Sequence, residues 1–192
     1  MNLTAPIGRT QSLAVLLLLL GALFNALSSL GFQHIGGFQP CQLCYIQRYV
    51  HYSMIPASLV LLGLIWQGAP AWLTRVAFLA LFALLGYGWA VGIYQAGAEW
   101  EFWLGPNDCA NTVTISNNAS SLFESLGQTK LIRCDVAQLR ILGLSFGGWN
   151  VVISTVLMAI ALGGALLGKD AIDPIIKRIP LIGLLTSAIS KD

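Results

Sequence analysis

Four apolar runs, each close to the roughly 20 residues that a helix needs to cross a hydrocarbon layer, dominate this chain. They lie roughly at 12–32, 45–66, 75–96 and 147–167, and the first contains the unbroken block Val15 to Leu20. Within lipid, a backbone N–H or C=O has no water to bond, so a run of this length satisfies its own polar groups by folding as a helix. The expected fold is therefore an all-α integral membrane protein, a four-helix bundle with two extracytoplasmic loops and both termini cytoplasmic. A single membrane domain is expected over 1–168, with outer loops at 33–44 and 97–146 and a tail at 169–192. Only 9% of the 192 residues are charged and 56% are hydrophobic, against about 25% charged in a soluble domain. The net charge of +2 gives no ground for a nucleic-acid partner.

A cleaved signal peptide would also place a cation such as Arg9 ahead of an apolar stretch. This stretch is long for a signal core, and Ala22-Leu23-Phe24 does not resemble a small-residue cleavage site, so the first run reads as a retained helix. Basic residues in the flanks set the orientation. Arg9, Arg75, Lys169, Lys177, Arg178 and Lys191 fall on one side, and Arg48, Lys130, Arg133 and Arg140 on the other. The first set marks the expected cytoplasmic face. All four cysteines, Cys41, Cys44, Cys109 and Cys134, then lie outside, where disulfides persist.

Four cysteines can bind zinc, but structural zinc sites bring ligands as two closely spaced pairs. Cys109 and Cys134 are separated by a long polar stretch, so no metal site is expected. Haem attachment is excluded because the Cys41-Gln42-Leu43-Cys44 motif is followed by Tyr45 and not by histidine. For Cys109 and Cys134 a structural disulfide is a serious reading, since closing a loop of about 25 residues is worth roughly 3 kcal/mol in the chain-entropy picture. For Cys41 and Cys44 that reading fails. A bridge between residues three apart closes almost no loop, and its natural use is redox exchange.

Pro40 suits the start of a helix, which puts Cys41 and Cys44 in the first turn of the second span, where the positive end of the helix dipole favours thiolate. Arg48 follows Cys44 by one turn on the same face. An arginine just inside an apolar span is costly. It either stabilises Cys44 thiolate and negative charge on a bound electron acceptor, or it snorkels to the headgroups.

At these residues the chain resembles the DsbB family of bacterial disulfide-bond-forming membrane proteins. The matching elements are Phe38-Gln39-Pro40-Cys41-Gln42-Leu43-Cys44, then Arg48, the four spans and the outer pair Cys109 and Cys134. Leu142-Gly143-Leu144-Ser145 leading to Trp149-Asn150 is similar to the family's start of its last helix. The resemblance covers the chain apart from its two tails. It implies an inner-membrane, quinone-dependent protein dithiol oxidase that reoxidises a periplasmic thioredoxin-fold donor of the DsbA type. It also implies the roles: Cys109 forms the mixed disulfide with the partner, Cys134 exchanges with Cys41, and Cys44 beside Arg48 passes two electrons to ubiquinone or menaquinone. One departure stands out. Where many members carry a histidine near the outer end of the third span, the aligned residue here is Gln95, which can hydrogen-bond a quinone carbonyl but not readily supply a proton.

His51 lies on the same helical side as Cys44 and reads as a packing histidine. Glu99-Trp100-Glu101-Phe102-Trp103 reads as an interfacial aromatic belt, with a pocket wall as its alternative. Ile172, Ile175, Ile176 and Ile179 with Lys177 and Arg178 form a short amphipathic tail at the cytoplasmic surface. Two other functions fit the same spans: a scaffold whose outer loops are pinned by structural disulfides, and a thiol relay like that of vitamin K epoxide reductase-like proteins. Arg48 and the residues around it favour the oxidase.

Overall fold

A computed structural model describes residues 6–105, 134–169 and 171 of the chain. Four helices among them are long and apolar enough to cross a membrane: α1 Arg9–His34, α2 Gln42–Trp66, α3 Ala71–Glu99 and α4 Phe146–Leu166. They form one bundle, with α3 against α4 and α1 against α2 as its most extensive contacts. A two-residue-per-strand antiparallel hairpin, β1 Arg140–Ile141 and β2 Leu144–Ser145, leads into α4. The expected amphipathic tail at 172–192 lies outside the described residues.

Three of the helices, α1, α2 and α3, extend beyond the apolar runs. The Gln11 side chain accepts the Gly8 N–H at 2.9 Å ahead of α1. At the far end of α4, Gln11 donates to Leu167 O at 3.0 Å, and Thr10 donates to Lys169 O at 2.8 Å. Arg75 donates to the carbonyls of Ala165 and Leu167. Arg75, expected as a flanking charge, is thus buried and engaged with the last turn of α4. These contacts bring residues 8–10 and 169 together at one end of the bundle.

The hairpin was not visible as a strand pattern. Leu142 and Gly143 both take positive φ, 52° and 84°, which is the geometry that lets a two-residue turn follow the twist of its strands. The turn delivers Ser145 as the N-cap of α4, its hydroxyl accepting Gly148 N–H at 3.2 Å.

Small residues allow the helices to approach closely, as expected where lipid offers no hydrophobic drive between helices. A Cβ on Gly164 would sit 2.6 Å from the Phe78 ring, and one on Gly92 3.0 Å from Val151. Phe78 is fully buried and packs in one cluster with Leu18, Met54, Leu61, Leu85 and Leu157. Phe78→Ala is expected to destabilise the bundle by about 3–5 kcal/mol, measured by reversible unfolding in mixed detergent. A loss below about 1 kcal/mol would contradict this packing.

Candidate functional site

Pro40 and Cys41 fix where α2 begins. Proline pushes Gln39 toward extended backbone, and Cys41 is itself extended, with φ −76° and ψ 172°, as the N-cap of α2. Its sulfur accepts the Cys44 N–H at 3.3 Å, a task usually given to a serine or aspartate oxygen. The two cysteines are free thiols, and their sulfurs lie 2.8 Å apart. A short movement would close them to a disulfide, whose bond length is about 2.05 Å. Gln42, Leu43 and Cys44 therefore belong to α2 and not to the preceding loop.

The Cys41 thiol is held well above its ordinary range, chiefly because it donates a hydrogen bond to the Cys44 sulfur, with burial and the nearness of Cys44 adding to the effect. Cys44 is the acceptor of the pair. Its sulfur also meets Gln95 Nε2 at 3.4 Å. Gln95 is buried and locked in place: its oxygen accepts from Gln47 Nε2 at 2.7 Å, and its nitrogen donates to Glu99 Oε1 at 2.9 Å. Sequence reasoning found Gln95 through alignment and named Glu99 only as part of a possible pocket wall, but missed Gln47; Gln47 and Glu99 complete the hydrogen bonds of Gln95.

Arg48 lines the same cavity as Cys44. Its hydrogen bonds run to Gln33 and to Ser29 O on α1, and its guanidinium lies 5.5 Å from the centroid of the Tyr45 ring. Nothing about the spacing along α2 could have revealed those partners on α1. His51 is buried between Asn25 and Asn150 and lines the cavity as well. In the Glu99 to Trp103 segment the two readings divide by residue. Glu99 is buried in the cavity wall, whereas Trp100, Phe102 and Trp103 are exposed.

Cys134 is buried and disulfide-bonded, and it packs in one cluster with Cys41 and Leu43. Gln138 donates to Gln39 O at 2.6 Å, which ties the segment after Cys134 to the segment before Cys41. Cys109 lies outside the described residues. Among the described residues no three His, Cys, Asp or Glu side chains are grouped to hold a metal ion.

The cavity beside Cys44 has a volume of about 410 Å³, within the range of small-molecule sites, which are mostly apolar with a few convergent polar groups. Its apolar wall includes Phe32, Phe38 and Phe146, whose rings contact one another at centroid distances of 5.0 to 6.4 Å. Three side chains on its wall carry buried polar atoms with no hydrogen-bond partner among the described residues: Arg48 Nε, His51 Nδ1 and Glu99 Oε2. Orphaned polar atoms are costly in an apolar surrounding, and three of them on one cavity wall beside the thiol pair make it a candidate binding site.

The family described as "Disulfide bond formation protein DsbB" matches residues 11–163. Two relatives named disulfide bond formation protein B are similar to the chain. The protein from Aromatoleum aromaticum is 28% identical over 140 residues, 68% of this chain and 77% of its own. The protein from Marinobacter nauticus is 31% identical over 138 residues, with the same shares covered. No solved structure matches the chain.

The hydrogen bond between the two thiols makes them unequal. In the reduced protein at neutral pH, Cys41 stays protonated because its pKa is raised, so iodoacetamide is expected to modify Cys44 at least about tenfold faster than Cys41. Peptide mass spectrometry after brief labelling reads the ratio. Equal labelling, or preference for Cys41, would contradict the assignment of donor and acceptor.

Proposed function

The chain belongs to the DsbB family of membrane disulfide bond formation proteins, and from that premise we propose that it is a quinone-dependent dithiol oxidase serving a periplasmic DsbA-type protein across the inner membrane. One observation carries this reading: the Cys41 and Cys44 pair lies between a buried disulfide cysteine and a cavity. Cys134 packs in one cluster with Cys41, against which Cys44 also packs, and both thiols line the cavity. A thiol pair so placed can take electrons from one side and pass them to the other.

The family resemblance supplies the order of the thiol steps, and that placement is consistent with it. A partner thiolate attacks Cys109 of a Cys109–Cys134 disulfide, forming a mixed disulfide and releasing Cys134. The partner's second thiol resolves the mixed disulfide, so the partner leaves oxidised and Cys109 and Cys134 are left reduced. Cys134 thiolate then attacks Cys41 of the Cys41–Cys44 disulfide and releases Cys44 thiolate. Cys109 resolves that bond, restoring Cys109–Cys134 and leaving Cys41 and Cys44 reduced. Two electrons have moved inward and two protons remain to be placed.

A quinone, when bound, supplies a two-electron, two-proton acceptor at a potential above that of a DsbA-type donor, which is about −120 mV. The cavity fits such a ring by its volume, its aromatic wall and its orphaned polar atoms. Arg48, Gln95 and Glu99 are the side chains that would surround a headgroup beside Cys44. Arg48 places a fixed positive charge there, and its bonds to Gln33 and Ser29 hold it in position. Gln95, fixed by Gln47 and Glu99, presents its amide to the Cys44 sulfur and orients that sulfur without itself carrying a charge.

The test follows oxidised-quinone absorbance when a reduced DsbA-type protein is added to the purified protein in detergent without oxygen, beside Cys44→Ser. Rapid loss of oxidised quinone is expected for the wild type, with turnover reduced at least about a thousandfold in the variant, as for removal of a nucleophile acting as part of a unit. No reduction of ubiquinone or menaquinone by the wild type would overturn the proposal.

A further inference from the structure

The inner end of the cavity carries a polar cluster that the thiol chemistry leaves unused: Asn25 on α1, His51 on α2 and Asn150 on α4. Asn150 also donates to Gly88 O on α3 at 3.3 Å, so the cluster touches all four helices. Interhelical hydrogen bonds of this kind hold membrane bundles together. Bundle cohesion alone does not explain the cluster's composition, because its donors and acceptors do not balance.

His51 Nε2 lies 2.6 Å from Asn25 Nδ2, a donor, and 2.9 Å from Asn150 Oδ1, an acceptor. One ring nitrogen cannot serve both. Without a proton it accepts from Asn25, and the ring proton then sits on Nδ1, which is buried with no partner. With the proton it donates to Asn150, and the Asn25 N–H that faced it turns to Asn150 Oδ1, 3.4 Å away. His51 Nε2 and Asn150 Oδ1 lie close together, 2.9 Å apart, on one side of Asn25 Nδ2, so a single Asn25 N–H serves both. The second, diverging N–H of Asn25 has no partner among the described residues in either tautomer. Asn25 is the half-exposed member of the three and lines the cavity, so this spare donor is the one that can reach a ligand.

The position of the cluster defines what that ligand oxygen belongs to. Cys44, Arg48 and His51 follow one another along the cavity-lining side of α2, and Cys44 and His51 are separated by about 10 Å of helix rise. On α1, Ser29 accepts from Arg48, and Asn25 lies one turn deeper. Both helices therefore give the same order from the outer end inward: thiol, guanidinium, then amide and imidazole. A ring with its oxygens at opposite ends matches this order, and one with a single carbonyl would leave one end unmet.

Resting on the quinone reading above, we propose that Asn25, positioned by His51 and Asn150, is a substrate-binding residue that donates a hydrogen bond to the inner carbonyl of a 1,4-dione ring whose other end faces Cys44 and Arg48. Ubiquinone and menaquinone share this chemistry. Asn25 selects for the pair of opposed carbonyls and not for the substituents that distinguish the two rings.

Short-chain ubiquinone labelled with 13C at one ring carbonyl or the other serves as probe, with equilibrium binding and the infrared stretch of each carbonyl as readouts. In Asn25→Ala the dissociation constant is expected to rise about five- to tenfold, the loss of one hydrogen bond. Only one of the two carbonyl bands is expected to move back toward its free position. Asn25→Ser gives the same two readouts if the alanine variant does not assemble. Binding within about twofold of wild type with both bands in place would overturn the proposal, as would a change of both bands together, the mark of a purely structural role. A wild-type protein that binds no quinone at all would instead overturn the quinone reading itself.

Discussion

Everything in this protein depends on the need of a chain in hydrocarbon to satisfy its own backbone. Helices meet that need along their length and fail at their ends, where terminal N–H and C=O groups have no intrahelical partner. The bundle treats its two ends differently. At one end Thr10, Gln11 and Arg75 take up the last carbonyls of α4 and close the structure. At the opposite end the start of α2 is capped by a cysteine sulfur, so a reactive atom occupies a position that elsewhere is purely structural. The thiol pair belongs to the helix start.

The spans were legible because length and apolarity suffice to identify a membrane helix, and the thiol pair was legible because CxxC has little structural use. Helix ends were less so: α1 and α2 continue into residues such as Gln11, Gln33 and Gln42, whose polarity ends the apolar run without ending the helix, and α3 runs on past both ends of its expected span. Arg75 illustrates the difficulty. In sequence it is a flanking charge, and only the approach of α4 shows that it is buried. Arg48 raises the same problem in the site, since its partners Gln33 and Ser29 belong to another helix. Asn25 gave no signal of a site at all, being a single polar residue in a long apolar run, and Asn150 entered only as part of the motif at the start of the last helix. Their meaning comes from the fold, which brings both to His51.

Polar side chains buried in the bundle fall into two main groups, one around the last turn of α4 and one around the cavity. The first group donates to backbone carbonyls and serves stability. The second is incomplete, with orphaned atoms on Arg48, His51 and Glu99 facing a space large enough for a ring. The incomplete group lies on the wall of the cavity that both thiols line, and Cys134 packs beside the same pair.

The central claim is that electrons leave through the cavity beside Cys44. A photoactivatable azido-quinone, cross-linked to the protein in membranes and mapped by peptide mass spectrometry, tests it most directly. The account predicts label on the cavity-facing segments of α1, α2 and α4, around Asn25 to Ser29, Cys44 to His51 and Trp149 to Ile153, with competition by unlabelled quinone. Label confined to the lipid-facing groove between α2 and α3 near Pro56, Val60 and Ala80, or label that unlabelled quinone does not displace, would contradict it.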